Sequence, residues 1–128
     1  CGEHLSLDNI NQAINEINRS ERIGITEFCI IPSNEEMKHY WFIGLDEDVD
    51  PSRLMDQIDQ VLKSGNDDYA AVRKYTLSDP EIRCFKSDVF YRFMESIGKT
   101  GAQNKVPRVM NAHQSEMWLD YLRKEGLL

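Results

Sequence analysis

The chain has 128 residues, 41% of them apolar and 29% charged, which is room for one domain with a sizeable core. Its net charge of −7 argues against nucleic acid as the main partner, because phosphate binding is driven by clustered Lys and Arg. No apolar run approaches the roughly 20 residues of a membrane span, and no signal peptide opens the chain.

The chain begins at Cys1 rather than Met and passes at once into Gly2-Glu3-His4-Leu5, which reads as a cut inside a longer protein. Ser6 reads as a helix N-cap, with Leu7, Ile10, Ile14 and Ile17 following at helical spacing until Ser20-Glu21-Arg22 breaks it. Ile23 to Ile31 is rich in β-branched and aromatic residues and is closed by Pro32-Ser33-Asn34, the pattern of a strand. A second strand is expected at about His39 to Leu45, antiparallel to the first across a short polar turn. Asp50 as N-cap with Pro51 behind it starts a helix whose buried stripe is Leu54, Ile58, Val61 and Leu62. After Gly65-Asn66 a shorter helix restarts at Asp67 or Asp68 and runs through Tyr69, Val72 and Tyr75. Glu81 to Lys86 reads as a third strand. Ser87-Asp88 is expected to cap a helix carrying Phe90, Phe93, Met94 and Ile97, with Gly98 as its stop. The last helix spans about Ala112 to Lys124 and turns Met117, Trp118, Tyr121 and Leu122 inward. This order predicts an α+β fold: a small mixed or antiparallel sheet of about three strands with helices packed on it. Aromatic and Met residues at helical spacing on the late helices read as core rather than as a ligand pocket.

Cys29 and Cys84 sit among strand-like residues and read as buried, reduced thiols of a cytoplasmic protein; the three cysteines are spaced too widely for a disulfide framework or a zinc site. No GxSxG elbow, phosphate-binding GxxxxGK[ST] loop, HExxH or CxxC spacing is present. His4, His39 and His113 are far apart, and the last two read as structural. Asp46-Glu47-Asp48-Val49-Asp50 lacks the central Gly and closing Glu of a calcium loop and reads as a helix start favoured by the macrodipole, so no metal site is expected.

One segment departs from the acidic background. Lys99 to Arg108 holds three cations and no acid, and the acid-free stretch continues to Ser115; removing those three charges leaves −10 for the rest of the chain. Gly101 allows close backbone approach to a ligand, Gln103 and Asn104 supply neutral donors, Lys105 supplies a mobile point charge and Pro107 stiffens the segment. Those parts suit a phosphate or a carboxylate, and equally a solvated connection between helices balanced by neighbouring acids.

Gln103-Asn104-Lys105-Val106-Pro107-Arg108 resembles the Q-x-K-x-P-R signature near the C-terminus of the Gretchen-Hagen-type, auxin-responsive acyl-acid amido synthetases. Asp68-Tyr69 with Arg73 is similar to that family's N-x-x-Y-x-x-x-R stretch, and Gly2-Glu3-His4-Leu5-Ser6 to the hinge that opens its C-terminal domain. The likeness covers most of the chain and is dense at these three places, with Asn104, His4 and Asp68 standing where the family usually has an aromatic residue, a Lys and an Asn. The departures suggest a bacterial relative with its own acyl substrate.

The resemblance implies an adenylate-forming enzyme that uses ATP and Mg²⁺ to activate a carboxylic acid as an acyl-adenylate, which an amino acid amine then attacks. It makes residues 1–128 the mobile C-terminal lid of a larger two-domain protein whose N-terminal domain, holding most of the nucleotide and acyl sites, is its principal partner. Lys105 is then the catalytic lid lysine; Lys99, Gln103, Asn104 and Arg108 are candidates to bind substrate or phosphate, and Gly2, Glu3 and His4 form the hinge. Arg108 either binds an anion or pairs with acids on neighbouring elements. Two other readings compete: a non-enzymatic regulatory module that binds an anionic metabolite at residues 99–108, and an interaction domain using exposed Trp41 and Trp118.

Overall fold

The computed structural model describes residues 5–99 and 105–128. Their elements follow in the order α1 (Leu7–Glu21), β1 (Glu27–Ser33), β2 (Lys38–Gly44), α2 (Pro51–Gly65), α3 (Asp67–Tyr75), β3 (Glu81–Phe85), α4 (Ser87–Ser96) and α5 (Ala112–Lys124). The sheet order is β1-β2-β3, with β1 antiparallel to β2 and β2 parallel to β3. The expected α+β fold is therefore present, and its sheet is mixed.

Alternation along the strands separates two cores. Phe28, Ile30, Trp41 and Ile43 face one side, where α1, α2 and α3 bury Ile10, Ile14, Ile17, Leu54, Ile58, Leu62 and Tyr69 against them. Cys29 and Phe42 face the other side, under Phe90 and Phe93 of α4 and Trp118 and Leu122 of α5. Trp118 is fully buried in an aromatic cage, with ring centroids 4.9 Å from Phe90, 5.0 Å from Phe93 and 5.7 Å from Phe42. Trp41 is buried as completely, so neither indole offers the exposed surface that an interaction domain built on them requires.

Element boundaries follow local hydrogen bonds. Ser6 caps α1 in a reciprocal capping box with Asn9, and Asp50 caps α2 through Ser52 N–H at 3.1 Å. The first strand starts four residues later than the apolar run does. Arg22 closes α1 in the left-handed region (φ 53°), and Asn18 ties down Ile25 by accepting from its N–H at 2.8 Å and donating to its carbonyl at 3.1 Å, so Ile23 to Thr26 form a connector. Pro32 lies inside β1 rather than ending it, which an edge strand allows because proline has no ladder donor to lose. Helix α3 restarts at Asp67, as expected, with Asn66 as its cap, whereas Lys86 rather than Ser87 precedes α4. Ser87 is drawn inward instead: its hydroxyl lies 2.5 Å from that of Thr26, and its N–H donates to Asp46 Oδ1 at 3.2 Å.

That last contact explains the acidic stretch after β2. Asp46 serves the start of α4, Glu47 accepts from Gly24 N–H at 2.8 Å, and Asp50 caps α2. Each of these carboxylates answers a backbone donor, and among the described residues no group of three His, Cys, Asp or Glu is arranged to hold a metal ion. No helix among them is long and apolar enough to cross a membrane.

Candidate functional site

The basic segment starts where α4 stops. Gly98 takes φ +77°, and Lys99 N–H reaches back to Met94 carbonyl at 2.9 Å, a left-handed helix stop that turns the chain away from the helix axis. From Lys105 the chain runs beside the free edge of β1. Ile30 N–H donates to Arg108 carbonyl at 2.8 Å and Met110 N–H donates to Ile30 carbonyl at 2.9 Å, so residues 108–110 bracket one residue of the strand. Val106 and Met110 are buried in the α4/α5 core, whereas Lys105, directly before Val106, stays exposed. Asn111 then caps α5 in a second reciprocal box, with Gln114.

This path brings Lys99 and Lys105 to one groove of about 540 Å³. Phe93, Met94 and Ile97 of α4, Met110, and Met117 of α5 supply its apolar lining, and His113 and Gln114 from the first turn of α5 stand with the lysines at its polar side. Among the described residues neither lysine has an ion-pair partner. Uncommitted ammonium groups beside an apolar cavity can meet an anion that carries an apolar body, and the low-dielectric wall strengthens the attraction. His113, expected to be structural, is exposed and shares this groove. The signal for it was present in the acid-free stretch, which runs past His113 to Ser115.

Arg108 turns the other way. Its Nη1 donates to Glu27 Oε1 at 2.9 Å and to Phe28 carbonyl at 3.0 Å, and its guanidinium lies 4.5 Å from the centre of the Phe28 ring. Of the two roles left open for Arg108, the geometry supports pairing with an acid on a neighbouring element. Gln103 and Asn104, and the hinge residues Gly2, Glu3 and His4, lie outside the described residues.

Tyr69 and Arg73 lie one helical turn apart on α3 and converge on one carboxylate of α2. Arg73 grips Asp59 with Nε on Oδ1 and Nη2 on Oδ2, each at 3.0 Å, and Tyr69 Oη donates to Oδ1 at 2.5 Å. Arg73 Nη1 also donates to the carbonyls of Leu77 and Ser78, tying down the turn that leads into β3. Burial works to raise the Asp59 pKa, yet the hydrogen bonds from Arg73 and Tyr69 outweigh it and hold the carboxyl below its ordinary value. Burial, with the carboxylate beside it, pushes the Tyr69 phenol far above its usual range. The network is a structural clamp: every group in it is already partnered.

The GH3 family C-terminal domain matches residues 8–114, most of the chain and including Tyr69, Arg73, Lys99, Lys105 and Arg108. The chain belongs to the GH3 family. The fold of this GH3 domain is similar to that of a solved GH3.15 acyl acid amido synthetase, with a TM-score of 0.70 and 16% identity. The likeness covers 91% of this chain but only 23% of that one. No curated protein sequence matches the GH3 domain significantly. The clamp gives a physical reason for the family-like Tyr69/Arg73 spacing, since residues four apart on a helix share a face.

Proposed function

We propose that this GH3 domain is the mobile C-terminal lid of an ATP-dependent acyl-acid amido synthetase. The observation that carries the reading is Lys105: it lies within the family-matched region, is exposed, has no ion-pair partner among the described residues, and is followed directly by buried Val106 and by residues 108–110 docked on β1. A lid lysine must remain uncommitted until closure, when water is excluded and its charge acts on developing negative charge elsewhere in the enzyme. ATP with Mg²⁺ supplies the activation of the carboxylic acid, and an amino acid amine is the acceptor. Lys105, with Lys99 beside it, suits phosphate oxygens. The N-terminal domain of the same protein is the principal partner, and the cytoplasm, where such substrates and ATP meet, is the compartment. Opening and closing of this domain then gates turnover.

In the full-length enzyme Lys105→Ala is expected to slow pyrophosphate release by about a hundredfold or more, the range for loss of one charge-stabilising donor, without lowering the unfolding midpoint. An unchanged adenylation rate removes Lys105 from the mechanism. A second reading, a regulatory module that captures an anionic metabolite, is favoured by the groove itself. Calorimetry separates the two: a lid alone binds ATP barely or not at all, whereas a regulatory module binds its nucleotide or carboxylate in isolation.

A further inference from the structure

The two edges of the sheet are treated differently. The outer edge of β1 is closed by residues 108–110, which exchange two backbone hydrogen bonds with Ile30. β3 ends the opposite side, and among the described residues nothing pairs with its outer edge. An open edge presents a row of unpaired N–H and C=O groups, a template for another strand.

Beside that edge lies a trough of about 780 Å³. Parallel pairing places Glu81, Arg83 and Phe85 on the same sheet face as Tyr40 and Phe42, the face that α4 and α5 cover only in part. The trough extends from there past Ile31, Leu119 and Leu128, so its walls are mainly apolar. The two acids lining it are committed: Glu36 accepts from the Tyr40 hydroxyl at 2.5 Å and Glu81 from Lys38 Nζ at 3.2 Å. Arg83 is exposed and has no partner among the described residues. The uncommitted charge of the trough is therefore positive, on a chain whose net charge is −7.

We propose that the outer edge of β3 is a docking site for an extended segment of a separate polypeptide, which adds as a further strand and sets a carboxylate on Arg83. Strand periodicity of two defines the segment. Residues on either side of the carboxylate, two positions away, enter the trough and must be apolar, while those between face away. A second copy of this chain is a poor occupant, because antiparallel pairing of two β3 strands about their centre sets Arg83 against Arg83.

The test uses the labelled peptide Thr-Val-Thr-Glu-Thr-Val-Thr, blocked at both ends, titrated into the protein by fluorescence anisotropy with hydrogen exchange followed in parallel. Saturable binding is expected, with slowed amide exchange at residues 82–85. Replacing the peptide Glu by Lys, or Arg83→Glu in the protein, should each weaken binding by about tenfold or more, and combining the two changes should restore it. Methylating alternate backbone nitrogens of the peptide should abolish binding in one of the two registers. The proposal is overturned if the peptide does not bind, if both charge swaps leave affinity unchanged, if neither methylated register matters, or if the protein instead dimerises through β3. The charge swap on the peptide side keeps the result decisive even where Arg83→Glu alters stability.

Discussion

Arg108 shows how one residue of a signature can serve structure while another, Lys105, stays exposed. Its guanidinium satisfies Glu27, the Phe28 carbonyl and the Phe28 ring at once, and the backbone on either side of it seals the edge of β1. Glu27 is itself only 8% exposed, so removing the guanidinium strands a carboxylate that has little access to water. Arg108→Ala is therefore expected to cost about 3 kcal/mol of folding stability, measured by urea denaturation, the magnitude for breaking one partner out of a largely buried pair. Arg108→Lys should recover only part of that loss, because an ammonium cannot keep the planar fork and the stacking on Phe28 together. A cost near zero would return Arg108 to the anion-binding candidates. Three residues away in the chain, Lys105 is exposed and has no ion-pair partner among the described residues. The two thiols among the described residues are likewise settled by burial: it raises Cys29 well above the ordinary thiol range and pushes Cys84 up to about 11, so both are protonated and unreactive at neutral pH.

Among elements, the docking of α4 on β2 controls the position of the groove, since α4 carries Phe93, Met94 and Ile97 and delivers Lys99. The close approach occurs at Gly44, the last residue of β2. A Cβ there would lie 2.8 Å from Phe90 Cε1 and 3.2 Å from Glu27 Cβ. Phe90 is fully buried against Trp118 and cannot swing aside without opening the aromatic cage. Gly44→Ala is expected to cost about 1–3 kcal/mol, read from the shift of the urea midpoint, with a changed near-ultraviolet aromatic signal. Wild-type stability in that variant would mean that α4 can move on the sheet at little cost. The helix starts behave as local chemistry directs where the cap is free. Ser6 and Asn111 each form complete boxes, but Ser87 is pulled away from its expected cap position by Thr26 and Asp46, contacts made from distant parts of the chain.

Across the whole molecule, the Asp59 clamp joins α2, α3 and the turn into β3, and it gives stability a pH dependence of definite sign. The folded-state pKa of Asp59 lies below its unfolded value of about 4. The clamp's contribution is therefore fully present above pH of about 4 and is lost as pH falls through the folded pKa. Asp59→Asn should lower stability by about 3 kcal/mol at pH 7, and the gap to wild type should narrow on going to pH 3, as urea midpoints measured across that range would show. A gap that is constant with pH would mean that Asp59 ionisation does not hold the clamp.

What the chain order alone determines here is whatever depends on residues close together in sequence. Helical spacing, caps and stops placed α1, α2 and α5 nearly to the residue, and the three strands followed from runs of β-branched and aromatic residues. The basic segment was visible because charge and short motifs are local, and the Q-x-K-x-P-R signature pointed to the family that the matched residues establish. What only tertiary structure decided depends on partners distant in the chain. Arg108 meets Glu27 and Phe28 across eighty residues, and His113 reaches the groove of Lys99 and Lys105 only because α5 packs against α4. The parallel pairing of β3 with β2 puts Arg83 on the outermost strand, where among the described residues it has no partner. Periodicity can say which face of an element is buried, but the energy that chooses between pairing a charge and leaving it free comes from what the fold places opposite it.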